Sequence, residues 1–237
     1  MTYSTSPEAL PRDESKPDVV RIRTYEPTDY TECREIFTEG MQQLANPVME
    51  LVLPWYAKNA AVFFVFAAAV AFQWSLWILA VYLLVCIVLV ALLYINIYLQ
   101  IMKFIGACLS ADLRDIDKSY MYAKGSSMWV AEYNGKVVGM VGLIHSENHP
   151  DGVAELQRMS VSSSVRRKGI AGKLIRELLN FAREQNYKKI VLSTTGAQHA
   201  AIGMYKKFGF RLVNVFPYPQ KILEDLRYNC FELDLTM

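Results

Sequence analysis

From Asn59 to Met102 the chain carries no Asp, Glu, Lys or Arg. A surface helix of a globular domain shows a charged face, and this stretch has none. As one straight helix it would reach roughly 66 Å, about twice a hydrocarbon core. Two passages therefore fit better than one. Gln73-Trp74-Ser75 is the most polar point inside the run and is the predicted turn. That turn puts Trp74 and Trp77 near the far interface, where indole rings are favoured. The first arm, Ala57 to Phe72, is short for a full span, and the second, Leu76 to Tyr98, is long enough. Two full spans and a shallow re-entrant hairpin both satisfy these lengths. A hairpin buried in a globular core is the third reading, but so long a charge-free run is rare outside membranes.

The rest of the chain has ordinary charge density. Its net charge of +2 is too small to argue for a nucleic-acid partner, and no basic stripe with interleaved aromatics appears. The four cysteines, Cys33, Cys86, Cys108 and Cys230, are scattered. No C-x-x-C occurs and no His stands at metal-ligand spacing from them. This argues against a disulfide framework or a metal site, and for a reducing compartment. Residues 1–18 are rich in Pro, Ser, Thr and charge and lack an apolar core segment, so they read as a disordered tail and not a secretory signal.

The elements on either side of the run place it within one domain. Val19-Val20-Arg21-Ile22-Arg23 alternates like a strand, and Tyr30 to Met41 reads as the helix after it, capped by Thr28 or Asp29. Ser127 to Glu132 and Lys136 to Ile144 read as a hairpin turning at Asn134-Gly135. If the first strand shares a sheet with that hairpin, the apolar run must leave and re-enter on one face of the bilayer. Lys58 and Lys103 bracket it, and Arg114 and Lys118 follow, which favours the cytosol for both flanks. Pro47 and Pro54 break the approach into short pieces, with Met49 to Leu53 along the interface. The predicted organisation is a tail (1–18), a first domain part (19–45), a juxtamembrane segment (46–58), the insertion (59–102) and the main domain part (103–237).

The second half alternates strand and helix. Val153 to Val161 is a predicted strand, and Ile170 to Gln185 a helix with Leu174, Ile175, Leu178, Leu179 and Ala182 on one face. Lys189 to Ser193 is a short buried strand. Ala197 to Lys207 is a second helix stopped at Gly209, and Arg211 to Val215 and Arg227 to Leu233 are the last strands. The order predicts an α/β sheet with helices on both faces. Between the strand ending at Val161 and the following helix lies Arg166-Arg167-Lys168-Gly169-Ile170-Ala171-Gly172. Backbone N–H groups and the positive helix end there suit a pyrophosphate, Gly169 permits its close approach, and the basic side chains add attraction to a polyanion. A basic turn before a surface helix is the plainer reading of the same residues.

The pattern R-x-x-G-x-A in that loop resembles the acyl-CoA-binding loop of the GNAT N-acetyltransferase superfamily. Ala201-Ile202-Gly203-Met204-Tyr205-Lys206-Lys207-Phe208-Gly209-Phe210 is similar to its A-x-x-L-Y-x-x-x-G-F segment, with Met204 in place of Leu. Asp112 to Tyr120 and Gly125 to Glu132 resemble the camello-like family, which holds membrane-bound cysteinyl-conjugate and aspartate N-acetyltransferases with an apolar insertion at this place. Ser127 and Met128 depart from the Cys and Phe of relatives. The likeness runs from about Val20 to the last strand. It implies a GNAT-like mixed central sheet interrupted after the first strand-helix unit by a membrane helical hairpin, with acetyl-CoA as co-substrate and no metal.

The resemblance also implies roles. Tyr205 would face the CoA sulfur and protonate the leaving thiolate; a packed helix aromatic is the alternative. Glu155, six residues before Val161 on one strand, would be the general base, with ordered water as the alternative. Met159 and Val161 would offer backbone groups to the pantetheine arm and thioester oxygen. Arg166 to Gly172 would hold the pyrophosphate, and Gln198 would contact CoA. Arg158 is the candidate for an acceptor carboxylate, unless strand alternation aims it away from the cleft. His145, His149 and His199 read as isolated surface residues. The expected protein is an integral membrane N-acetyltransferase, on the endoplasmic reticulum with its catalytic domain in the cytosol. Its acceptor is a small amino-acid-like amine such as aspartate or an S-substituted cysteine. Protein lysine acetylation and a catalytically weak GNAT-fold membrane scaffold or CoA sensor are the alternatives. Oligomeric state is not legible in the chain.

Overall fold

The computed structural model describes residues 19–73, 75, 77–145, 149–219, 223 and 226–236. The expected disordered tail lies outside these residues. In chain order the elements are β1 (Val20–Thr24), α1 (Tyr30–Gln42), α2 (Ala45–Gln73), α3 (Trp77–Ser110), β2 (Ser127–Tyr133), β3 (Lys136–Ile144), β4 (Val153–Val161), α4 (Ile170–Glu184), β5 (Lys189–Thr195), α5 (His199–Lys207), β6 (Arg211–Pro217) and β7 (Arg227–Asp234). The seven strands form one sheet in the order β1-β2-β3-β4-β5-β7-β6. β4 and β5 are its parallel neighbours; the other neighbours pair antiparallel. As the alternating pattern predicted, β1 pairs with β2 within the catalytic sheet, Val20 opposite Tyr133. The β2–β3 turn carries φ of 52° at Asn134 and 73° at Gly135, the left-handed pair that an Asn-Gly hairpin supplies.

Helices cover both faces. The apolar stripe of α4 (Leu174, Ile175, Leu178, Leu179) packs with Ala131, Val141, Leu156 and Ile190 on one side of the sheet. On the other, Cys33 and Phe37 of α1 pack with Ile105 and Cys108 of α3 and with Met128, Val130 and Met140. β2 feeds both cores because successive side chains point to opposite faces.

The apolar run is a pair of long helices, α2 and α3, joined around Ser75. Trp74 and Leu76 lie outside the described residues. One expectation is corrected here. Pro54 does not end a helix; α2 runs through it. Nor do Met49 to Leu53 lie free. Val48 and Val52 are buried with Leu93 and Ile97 of α3 and with Ala197, Leu223 and Leu226 beyond the sheet. That packing holds α2 together across the hydrogen bond the proline removes. Beyond it the hairpin turns large apolar side chains outward, among them Phe63, Phe66, Phe72, Leu83, Leu84 and Leu89. Both helices are long and apolar enough to cross a membrane.

Gly142 of β3 shows how tightly the α1 side is filled. A Cβ there would sit 2.5 Å from Cε1 of Tyr120, a residue with no exposed surface. Gly142→Ala is therefore expected to lower stability by about 1–3 kcal/mol through overpacking, read as a lower melting temperature of the purified protein.

Candidate active site

The site begins with an irregularity in β4. Across β3, Gly142 faces Gln157 and Met140 faces Ser160. Two residues, Arg158 and Met159, thus stand where one would fit. Arg158 takes a left-handed φ of 55°, so β4 carries a bulge. The extra residue resets the alternation. Ala154 and Leu156 before it, and Met159 and Val161 after it, all join the α4-side core. Arg158 turns instead toward α1, where its guanidinium lies 5.4 Å from the Phe37 ring centre. Strand alternation thus does not carry Arg158 out of the cleft, because it does not persist through the bulge.

The other edge of β4 parts from its neighbour just before the bulge. β4 pairs with β5 only from Val153 to Glu155. Past that point the two diverge, and a cavity of about 360 Å³ opens between them. It brings together Glu155, Arg158, Met159, Gln198 and Tyr205. Phe37, Met41, Leu44, Val48, Gln100, Ile101 and Phe104 of the α1–α3 side close it over. Of the sequence-predicted residues, Val161 and the Arg166–Gly172 loop are not in its lining. His199 is exposed, and His145 Nδ1 donates to the Val153 carbonyl, 2.7 Å away. His149 is less isolated than expected, with Nε2 3.6 Å from the Glu155 carboxylate.

The polar side of the cavity is one connected network. Asp112 takes Arg158 in a two-point grip, Nη2 to Oδ1 at 2.6 Å and Nε to Oδ2 at 2.8 Å. Arg158 Nη1 reaches the Cys108 sulfur at 3.1 Å. Tyr120 donates to Asp112 at 2.5 Å and lies 3.3 Å from Gln157 Oε1. Gln157 in turn donates to Glu155 at 2.7 Å. Burial raises the Asp112 carboxyl, but the hydrogen bonds and charge of Arg158, with Tyr120, outweigh it and leave Asp112 below the usual carboxylate range. Tyr205 is 6% exposed and packs edge-on against Phe210. Burial pushes its phenol well above the ordinary value, so it stays protonated at neutral pH. Gln198, at the entry to α5, accepts from the Thr194 hydroxyl and the Thr195 N–H of the preceding strand.

The second locus is the start of α4. Intrahelical bonding begins with Lys173 N–H to the Gly169 carbonyl, which leaves the preceding N–H groups of the first turn for an anion. Gly169 has φ of 72°, and a Cβ on it would meet nothing within 4 Å, so open space lies before these donors. A pyrophosphate fits this arrangement. The side chains are distributed differently from the simple basic cluster expected. Lys168 lies on Tyr133, with a 2.6 Å bond to its hydroxyl, and Arg166 is tied to Gln43. Ile170 is buried in the core, and Gly172 lies against the Phe208 ring, 3.6 Å from a built Cβ.

A sheet that splays at a bulged fourth strand, with a bare helix N-terminus beyond it and a buried tyrosine in the cleft, defines an acetyl-CoA-dependent N-acyltransferase. The comparisons with known proteins agree. The profile of the acetyltransferase (GNAT) family matches residues 98–210. N-acetyltransferase 8F1 of Mus musculus is 36% identical over 195 residues, covering 80% of this chain and 85% of that protein. N-acetylaspartate synthetase of Danio rerio is 34% identical over 213 residues, covering 89% and 73%. A GNAT acetyltransferase from Staphylococcus aureus Mu50 shares the fold, with a TM-score of 0.56 at 18% identity over 92% of this chain and 100% of that one. The chain belongs to the GNAT acetyltransferase family, in its camello-like branch.

Sequence reasoning missed Asp112, Tyr120 and Gln157 as site residues. Asp112 and Tyr120 appeared only as parts of a charged motif, and no local pattern joins them to β4. Asp112 supports a prediction. Its folded-state pKa is the lower one, so the pair's contribution is complete above the unfolded value of about 3.9 and is lost as pH falls through the folded value. Asp112→Asn strands a buried guanidinium and is expected to cost about 3–5 kcal/mol at neutral pH. Denaturant titrations should show that deficit shrinking below about pH 4.

Proposed function

We propose that the protein is a membrane-anchored enzyme that moves an acetyl group from acetyl-CoA to the amine of a small, carboxylate-bearing acceptor. Aspartate and S-substituted cysteines are the candidate acceptors. The observation that carries this reading is the cavity holding Glu155, Arg158 and Tyr205 between β4 and β5. Its volume suits a small molecule. This favours a free amine over a lysine side chain in a folded protein.

Each residue has a task in direct attack. Glu155, with one oxygen already accepting from Gln157, takes the proton the amine must lose. Tyr205, buried and protonated, gives a proton to the departing sulfur. The edge of β4 beyond Glu155, released from β5, offers Met159 and Val161 backbone groups to the pantetheine arm. The N–H groups from Gly169 to Gly172 hold the pyrophosphate. Arg158 gives Nε and Nη2 to Asp112; Nη1, 3.1 Å from the Cys108 sulfur, is the donor for an acceptor carboxylate. The relative from Danio rerio named for N-acetylaspartate synthesis fits such an acceptor.

The anchor reading rests on length and on aromatic placement. From Trp55 to Phe72 on α2, and from Trp77 to Tyr94 on α3, each arm rises about 26 Å, close to the hydrocarbon thickness of a thin bilayer. Trp55, Trp77 and Tyr94 are exposed, as interfacial aromatics are. Because α2 continues through Pro54, the first arm is longer than the sequence suggested, which supports two spans over a re-entrant loop. The positives Lys58, Lys103, Arg114 and Lys118 support a cytosolic side for the catalytic domain, and the endoplasmic reticulum is the membrane proposed for it.

Thiol release from acetyl-CoA tests the chemistry. With aspartate, S-substituted cysteines and lysine peptides as acceptors, turnover is expected with one of the first two classes. Tyr205→Phe is expected to lower kcat by about 10²-fold or more while acetyl-CoA binding stays within about twofold. CoA binding without turnover on any amine would instead support a sensor or scaffold. Gly169→Val is expected to abolish acetyl-CoA binding in a chain that remains folded by circular dichroism. Tags at Met1 and Met237 should be equally accessible to protease outside sealed microsomes; protection of one alone would refute the hairpin.

A further inference from the structure

Helix α1 presents two different surfaces. Phe37 and Met41 line the acceptor cavity. Glu39 and Gln43, on another face, reach the connector that leads from β4 to the cofactor loop. Glu39 Oε1 accepts from the Ser163 hydroxyl and, at 3.4 Å, from the Ser163 N–H. Glu39 Oε2 accepts from the Ser162 hydroxyl at 3.4 Å. Gln43 Nε2 donates to Glu39 at 2.9 Å, and Gln43 Oε1 accepts from Arg166 Nη2. Two side chains one helical turn apart thus hold three loop residues more than 120 positions away in sequence. Between them Gly40 faces Ser160 of β4, whose hydroxyl would be 3.7 Å from a Cβ built there, an ordinary contact distance.

A carboxylate near a polyanion site is unfavourable unless its charge is compensated. Here the compensation is local. The Ser163 hydroxyl and N–H, Gln43 and Ser162 all donate to Glu39 and hold its carboxyl below the ordinary range, so it is ionised whenever the enzyme works. Gln43 then places Arg166 without spending its charge, because an amide oxygen neutralises nothing.

We propose that Glu39 and Gln43 are positioning residues that hold the cofactor loop in its pyrophosphate-binding shape, on the same helix that walls the acceptor cavity. The inference rests on the reading of Arg166–Gly172 as the CoA loop. In the full-length protein in detergent, Glu39→Gln and Gln43→Ala should each weaken CoA affinity by about tenfold in calorimetry. The KM for acetyl-CoA should rise alike, while kcat and the acceptor KM stay within about twofold. Met41→Ala should do the reverse, raising the acceptor KM and leaving CoA affinity unchanged. Glu39→Asp, which keeps the charge, should recover part of the loss. If Glu39→Gln and Gln43→Ala both bind CoA like the parent, or shift both KM values in proportion to a lowered melting temperature, the positioning role is wrong. Gly169→Val separates the two readings. Lost CoA binding there with none lost in Glu39→Gln overturns only this inference, whereas unchanged binding in folded Gly169→Val overturns the loop assignment itself.

Discussion

One residue too many in β4 is the constraint on which the site depends. β4 pairs with β5 over three residue pairs, up to Glu155, and the cleft holding Glu155 and Tyr205 lies where the strands have parted. The bulge at Arg158 sits in that unpaired stretch. It also aims two neighbours, Gln157 and Arg158, toward the α1 side, which regular alternation forbids. A non-glycine residue in the left-handed region costs about 1–3 kcal/mol. The two-point Asp112 contact and the Phe37 ring hold Arg158 there. The strain is thus located where the chemistry needs an opening.

The cleft then needs a cover, and the insertion supplies it. The base of α2 and α3 packs beyond the end of β5 through Val48, Val52, Leu93 and Ile97, and Gln100, Ile101 and Phe104 complete the cavity wall. The hairpin is therefore not a detachable anchor. The sheet is complete without it, but the acceptor side of the cleft is not. The wall it forms is largely apolar, while the strands opposite carry the charged network, so the cavity has one face for an apolar group and one for a polar head. Helix α1 and its C-cap residue Gln43 touch both the cavity and the segment before α4, which links the geometry of two regions that are far apart in the chain.

Much of this was legible from the residues alone. The alternation of Val20 to Arg23, the Asn134-Gly135 turn and the stripe of α4 each encode structure within a few neighbouring positions, because backbone geometry and burial have short sequence periods. The charge-free run from Asn59 to Met102 dictated a helical pair by length. Gly169 before an amphipathic helix marked a left-handed residue at the start of α4, since both the φ and the bare helix N-terminus are local properties. Tyr205 and Glu155 were found through a family pattern, and they do meet in one cavity.

The tertiary structure decided what lies between distant positions. Nothing near Arg158 announces a bulge; the register across β3 creates it. Asp112 is 46 positions from its partner, and Glu39 is 124 from Ser163. Those bonds form because α1 and α3 are packed on the same sheet face. Pro54 marked a helix end by local rules, yet α2 passes through it, because packing of Val48 and Val52 outweighs one lost hydrogen bond. The sequence by itself determined the elements, the apolar hairpin and the family motifs, all properties of short stretches. Only the folded chain decided which charges are paired, which strand edge is free and what covers the cleft, because these depend on distances that no sequence period encodes.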